Sequence, residues 1–396
     1  MFEKILQPYK GLSKEVWILA LTTLINRAGA MVVPFLALYL TNYLEFTMEQ
    51  VGWIMSCYGF GSLAGTFIGG KLADRVGYHI TMYASLLGAG LVFITLQFLS
   101  DYYHICIGIF ILSLIADIFR PAMWVALDNY SLAENRTRSV TLIRLAINLG
   151  FSLGPAAGGL IITWWTYKGI FIVDGLTCII AGLIIAFYLS QKTVPQAKKD
   201  TVLSPKKSPY KDRLFLVFWL ALFLIGFTFM QYFSTVPLYY SEVLFLSEDR
   251  IGLLLASNGL LIFFLEMPLV NAFEKSKLNH LKIVIAGTIL LMLSFLVLNL
   301  GPWVGMAILG IVLMTFGEML GFPFSNSFAL DRSKRGRQGD YMALYSMSFS
   351  VAHIMGPNIG MQFSAKFGFE NTWYLMGLLC LVSCAILFYL QQQIAD

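Results

Sequence analysis

An all-α integral membrane fold of twelve transmembrane helices follows from three features of this chain: how apolar it is, how its apolar residues are grouped, and where its basic residues fall. Of 396 residues, 58% are hydrophobic and 12% are charged, against roughly 25% charged in a soluble domain. A soluble chain of this length could not bury so much apolar surface, because core burial saturates with size. The apolar residues run continuously over stretches of about 20 rather than alternating, which excludes an outer-membrane β-barrel.

Twelve such stretches can be drawn in order, at 16–40, 49–70, 80–99, 104–127, 139–163, 169–190, 214–240, 250–272, 282–299, 302–329, 341–363 and 371–390. The residues before the first, Met1 to Lys14, are polar and basic. The run that follows is too long for the core of a cleaved signal, so the first segment is expected to act as its own insertion signal. Connections are short except at 191–213, where Lys, Pro and Ser predominate and a flexible cytoplasmic linker is expected. The domains predicted are thus a bundle at 1–190, the linker, and a second bundle at 214–396.

Basic residues set the orientation. With the N-terminus assigned to the cytoplasm and sides alternating, 21 of the 27 lysines and arginines fall inside. Only three, Lys168, Arg250 and Lys366, fall outside. That bias marks the inner face, predicts cytoplasmic termini, and accounts for the net charge of +5 without a nucleic-acid partner.

The halves repeat. VPFLALYL at Pro34 is echoed by VPLYYSEV at Pro237, Gly52 by Gly252, Pro121 by Pro323, and Gly154-Pro155 by Gly356-Pro357. All lie about 200 residues apart, so two parallel six-helix halves with a site near the midplane are expected, a recurring transporter design.

The loop after the second segment reads Gly70-Lys71-Leu72-Ala73-Asp74-Arg75-Val76-Gly77-Tyr78-His79. Gly70 and Gly77 suit close backbone approach. Asp74 can accept hydrogen bonds from a helix N-terminus, and Arg75 can pair with a carboxylate. This loop resembles the signature of the major facilitator superfamily between its second and third helices, with Tyr78 and His79 in place of the usual basic pair. The resemblance implies a latch at the cytoplasmic gate formed by Gly70, Asp74, Arg75 and Gly77. The fifth segment carries Gly150, Gly154, Pro155, Gly158 and Gly159, small residues at helix-packing spacing with a proline kink. That pattern is similar to the antiporter motif of the same superfamily and favours its twelve-helix drug:proton antiporter branch. Residues Gly65 to Leu72 nearly fit a phosphate-binding loop, but Leu72 stands where Ser or Thr would bind magnesium, and no ATPase is expected. The five cysteines show no metal-ligand spacing. Neither a metal nor another cofactor is expected, and no catalytic cluster suggests an enzyme.

Charges inside a bilayer are functional or structural candidates by default. Asp117 and Arg120 are three apart and share a helical face. The resemblance places Arg120 where an arginine takes part in proton coupling. Asp128 and Arg144 are expected to brace the fourth and fifth segments, and Asp174 to be structural. Glu318 and His353 are the main titrating candidates, since burial penalises the charged form of either side chain. Together with Arg27 they lie mid-segment, in helices that line the cavity in this superfamily. Asn26, Arg27, Asn148 and Glu266 are the candidates for contact with substrate, and Glu266 precedes Pro268, where kinked backbone is open to it.

The function expected is a monomeric transporter of the bacterial inner membrane, exporting amphipathic small molecules in exchange for protons by alternating access. A second reading is transport of an anionic or zwitterionic solute (a peptide, siderophore or organic acid) bound by Arg27 or Arg120. A third is a non-transporting receptor on the same fold.

Overall fold

The computed structural model describes residues 11–131, 135–189, 208–276, 278–334 and 338–395. Most of the expected linker lies outside them. Among the described residues there is no strand. The helices are α1 (Lys14–Ala28), α2 (Val32–Leu38), α3 (Met48–Arg75), α4 (Tyr78–Leu96), α5 (Tyr102–Tyr130), α6 (Arg136–Trp164) and α7 (Tyr167–Tyr188). The second half supplies α8 (Arg213–Phe229), α9 (Thr235–Glu242), α10 (Glu248–Lys275), α11 (His280–Leu298), α12 (Val304–Ser333) and α13 (Gln338–Ala395).

Eleven of the described helical stretches are long and apolar enough to cross a membrane. Two are composite: α1 and α2 form Lys14–Tyr43, and α8 and α9 form Arg213–Glu242. The last stretch, Asp340–Ile394, has 55 residues and contains Gly368 at φ 80°, ψ 166°, which is not helical. The final two segments expected from sequence lie on either side of that glycine, whose missing Cβ permits the conformation.

The chain divides into two compact units, Met1–Phe35 with Cys57–Asp200, and Leu36–Ser56 with Thr201–Asp396. Their internal packing repeats. In the first unit α1 packs on α6, and α4 packs on α5 and α7; in the second α8 packs on α13, and α11 packs on α12 and α13. The echo extends to backbone detail. Glu45 and Phe245, two hundred residues apart, both adopt positive φ (57° and 53°), a conformation uncommon outside glycine.

The first crossing is broken at its middle. α1 ends at Gly29, whose N–H donates to Ile25 and Arg27 carbonyls, and α2 restarts at Val32. Pro34 sits in the first turn of α2, where a missing N–H goes unnoticed. The amides exposed by the break are closed from α7: Met31 N–H donates to both Asp174 oxygens at 3.1 Å, and Val32 N–H donates at 2.9 Å. Asp174 is therefore structural, through a cap that bridges 142 residues. The seventh crossing breaks at the equivalent place, upstream of Pro237, with a 3₁₀ turn at Met230–Phe233. Here Gln231 fills the gap, donating to the carbonyls of Phe227 (3.2 Å) and Gly356 (2.8 Å) and accepting from the Thr235 hydroxyl (2.7 Å).

Glycines set the closest approaches. On α6, Gly150, Gly154 and Gly158 face Arg27, the backbone at 27–30, and Met31 with Phe35, which is the packing role expected of that motif. A second stripe, Gly61, Gly65 and Gly69 on α3, meets the α5 backbone at Phe110, Leu114 and Ile118. Residues that mimic a phosphate loop in sequence are thus a helix-packing face. The close approach expected at Gly70 occurs one residue earlier, since a Cβ on Gly70 would meet nothing within 4 Å. Gly77 is needed for its backbone, at φ 97° ahead of α4.

These contacts predict opposite outcomes for neighbouring glycines. Gly65→Val should lower stability by about 2 kcal/mol or more, because backbone cannot yield to a side chain. Gly70→Ala should stay within about 0.5 kcal/mol. Melting curves of the detergent-purified chain check both, and equal effects would contradict the assigned packing.

Candidate functional site

Each unit carries a cluster of ionisable side chains within its membrane segments. In the first unit the cluster is built on α1, α3, α5 and α7. Asp117 and Arg120 stand one turn apart on α5, and Arg120 Nη2 donates to Asp117 Oδ1 at 2.9 Å. The pair anticipated from their spacing is therefore formed. It is unequally buried, with Asp117 10% and Arg120 49% exposed at the side chain. Arg27 of α1 lies within electrostatic reach of both, and of Tyr58 and Cys178. Its Cβ side rests on Gly150, and its guanidinium carbon is 5.3 Å from the Phe151 ring centroid, a cation–π distance. Arg27 Nε is sealed from solvent and has no hydrogen-bond acceptor among the described residues. Asn26 turns aside and donates to Cys178 Sγ at 3.4 Å. Asn148 is half-buried on α6, two residues before Gly150.

In the second unit the cluster joins α10 to α12. Glu318 accepts from Asn258 Nδ2 at 2.9 Å, and the same nitrogen lies 3.1 Å from Thr315 Oγ1. Glu266, two turns beyond Asn258, is in electrostatic range of Glu318. Two carboxyls in mutual reach and one neutral amide meet in this cluster. His353 is half-buried on α13. Asn258 was missed in sequence because an asparagine in an apolar helix carries no pattern of its own. Its spacing from Glu318 is set by packing.

At the ends of the crossings each unit has a fastening. Ser13, the N-cap of α1, donates its hydroxyl to the Tyr130 carbonyl at the end of α5. Asp212, the N-cap of α8, occupies the equivalent place and binds more strongly. It accepts a two-pronged contact from Arg332 (2.8 and 2.7 Å), a hydrogen bond from Tyr341 (3.0 Å) and one from the Phe215 N–H (3.2 Å). Both charged side chains are about nine-tenths buried, so Arg332, counted in sequence as a loop charge, is a structural ion pair. Asp74 and Arg75 lie exposed at the last turn of α3; Asp128, in the last turn of α5, and Arg144, in the first half of α6, are exposed as well.

One further network belongs to the second unit although part of its chain comes from the first repeat. Ser56 donates to the Ile354 carbonyl and accepts from Asn358 Nδ2, both at 2.9 Å. Asn42 donates to Ser241 at 3.2 Å, and Gly52 lies against the Asn358 backbone.

A polytopic helical membrane protein with two repeated packing units and ionisable clusters within its crossings has the architecture of a carrier. The chain belongs to the Major Facilitator Superfamily, whose model matches residues 17–357 and again 246–394. It is similar to a Na(+), Li(+), K(+)/H(+) antiporter of Planococcus maritimus, 22% identical over 391 residues that cover 90% of this chain and 91% of the relative. It is also similar to the Multidrug resistance protein MdtG of Escherichia fergusonii, 23% identical over 385 residues covering 92% and 90%. Among solved structures, a POT family transporter in complex with 5-aminolevulinic acid shares the fold with TM-score 0.79 and 15% identity, over 98% of both chains. The chain is thus a multi-pass membrane protein of a transporter family.

The Asp212 fastening makes a pH-dependent prediction. Burial raises its carboxyl pKa, but hydrogen bonds from Arg332 and Tyr341, with the guanidinium charge, outweigh burial and hold it below the ordinary value. A carboxyl lowered on folding stabilises fully above its ordinary pKa, and loses that contribution as pH falls through the folded-state value. The native chain should therefore melt above Asp212→Asn at neutral pH, with the gap closing below about pH 4. Arg332→Gln should cost about 3 kcal/mol at neutral pH by leaving a buried carboxylate unpaired. A gap independent of pH would contradict the pairing.

Proposed function

We propose that the chain is a secondary active transporter that exports amphipathic small molecules in exchange for protons by alternating access. The observation that carries the reading is Glu318, a carboxyl inside a crossing whose recorded hydrogen-bond partner is the neutral Asn258 and whose electrostatic neighbour is another acid. A carboxyl so placed can hold a proton or release it according to its access to water, which is what coupling requires. His353 is the second proton-coupling candidate, and Asp117 with Arg120 supplies a pair that substrate or proton could open. An antiporter and a multidrug resistance protein among the relatives support exchange and export.

Counting the helices on either side of Gly368 separately gives twelve crossings with both termini on one side, and the 21-to-3 distribution of basic residues makes that side the cytoplasm. A bacterial inner membrane fits this topology. The moving bodies are the halves 1–190 and 214–396 joined by 191–213, and a monomer suffices. Leu36–Ser56 continues at both ends into the first unit, so its bonds to Ile354, Asn358 and Ser241 are those that a movement of the halves must break. Gly70, Asp74, Arg75 and Gly77 form the cytoplasmic gate of the same cycle.

Transport in proteoliposomes tests the reading. Glu318→Gln should reduce proton-driven accumulation about tenfold or more while exchange of substrate for substrate persists. If Glu318→Gln and His353→Ala both keep proton-driven accumulation, the coupling assignment is wrong. No accumulation by the native chain with any amphiphile would favour a receptor instead.

A further inference from the structure

Around Arg27 in the first unit, two arginines stand against a single acting aspartate among the described residues. Arg27 and Arg120 share Asp117 as the acid acting on Arg27, and Asp117 is already hydrogen-bonded to Arg120. The other acid of these crossings, Asp174, caps the Met31 and Val32 amides and is not among the charges acting on Arg27. An unneutralised cation at the centre of a span is costly. What offsets that cost for Arg27 is its share of Asp117 and the Phe151 ring, and its Nε has no acceptor among the described residues. Arg120 has its guanidinium half exposed, with one bond from Nη2 to Asp117, which leaves further donors of its planar fork available.

Resting on the transporter reading above, we infer that the transported molecule carries a single anionic group, a carboxylate or sulfonate on an otherwise apolar body. That group binds Arg27 and Arg120, and Asp117 is the built-in counter-ion with which it competes. One monoanion balances the excess charge, whereas a neutral or cationic head leaves it in place or adds to it. The fork of an arginine matches the two oxygens of such a head, and Phe151 offers an apolar face to the body beside it. A phospholipid headgroup is a poor source of the anion, because Arg27 lies 13 residues into α1, about 20 Å from its start at 1.5 Å per residue.

Equilibrium binding to the full-length chain, purified in maltoside, tests this with matched probes: 4-phenylbutyrate, its neutral isostere 4-phenylbutyramide and the cation 4-phenylbutylamine, and 2-naphthalenesulfonate with its sulfonamide. Dissociation constants are read from ligand-dependent melting shifts. The anions should bind about tenfold or more tightly than their neutral isosteres. Arg27→Gln should abolish that preference, and Arg27→Lys should keep part of it, because charge survives but the fork does not. Asp117→Asn should tighten anion binding and leave the neutral probes unchanged. Because each preference is a ratio within one variant, a general loss of stability cancels.

An anion-to-neutral ratio near one in the native chain, a preference for the amine, or a preference that survives Arg27→Gln would overturn the inference. Weaker anion binding in Asp117→Asn would overturn the counter-ion role. Adding phosphatidylglycerol to the detergent separates the sources: competition by the lipid alone, with no effect of the probes, would also overturn it. Binding in detergent needs no gradient, so failure here leaves the Glu318 result standing, and failure of coupling leaves this one standing.

Discussion

Inside a hydrocarbon layer no water is available to satisfy a broken backbone, so each helix interruption must be closed by the chain itself. The cap that Asp174 places on Met31 and Val32 is where this constraint acts most directly. Without it α1 and α2 could not stop and restart in mid-crossing, and Arg27 would not stand at the edge of a break. The second unit solves the same problem differently: Gln231 closes the break within its own crossing and reaches across to Gly356 on α13. Two repeats with one fold have thus diverged in the residue that seals the break, an acid supplied by α7 in one and an amide from the crossing itself in the other.

The same divergence governs charge. The first unit gathers arginines around one available aspartate, and the second gathers acids around an asparagine. The two repeats thus carry separate chemistry within their crossings, basic side chains in one and acidic side chains in the other. The glycine stripes on α3 and α6 serve this arrangement by bringing helix backbones together at Leu114 and Ile118, and at residues 27–30. Polar side chains on adjacent helices are then close enough to act on one another.

What was legible in the sequence follows from which forces are local. Segment positions, the repeat, the i, i+3 pairing of Asp117 with Arg120 and the packing role of Gly150 and Gly154 depend on hydropathy and helical spacing, and they can be read along the chain. Gly77 was legible because a loop turn demands its backbone. Gly70 was not, since only packing distinguishes it from Gly69, which meets α5 one residue earlier. The partnerships that define the clusters span 60 residues for Asn258 with Glu318 and 120 for Asp212 with Arg332. No local pattern encodes those, and Asp212 and Arg332 looked like ordinary loop charges. The structural character of Asp174 could be inferred from its place near the end of its segment, but the amides it caps could not.

The central claim is that movement of an amphiphile through this protein moves protons the other way. A pH-sensitive dye trapped in proteoliposomes holding an acid interior reads this directly as lipophilic cations, peptides and amphipathic anions are added outside in turn. The account predicts that one class, the amphipathic anions, collapses the proton gradient in vesicles containing the protein and not in empty ones. A gradient untouched by every class, with a solute still crossing down its own gradient, would make the protein a uniporter and contradict the account.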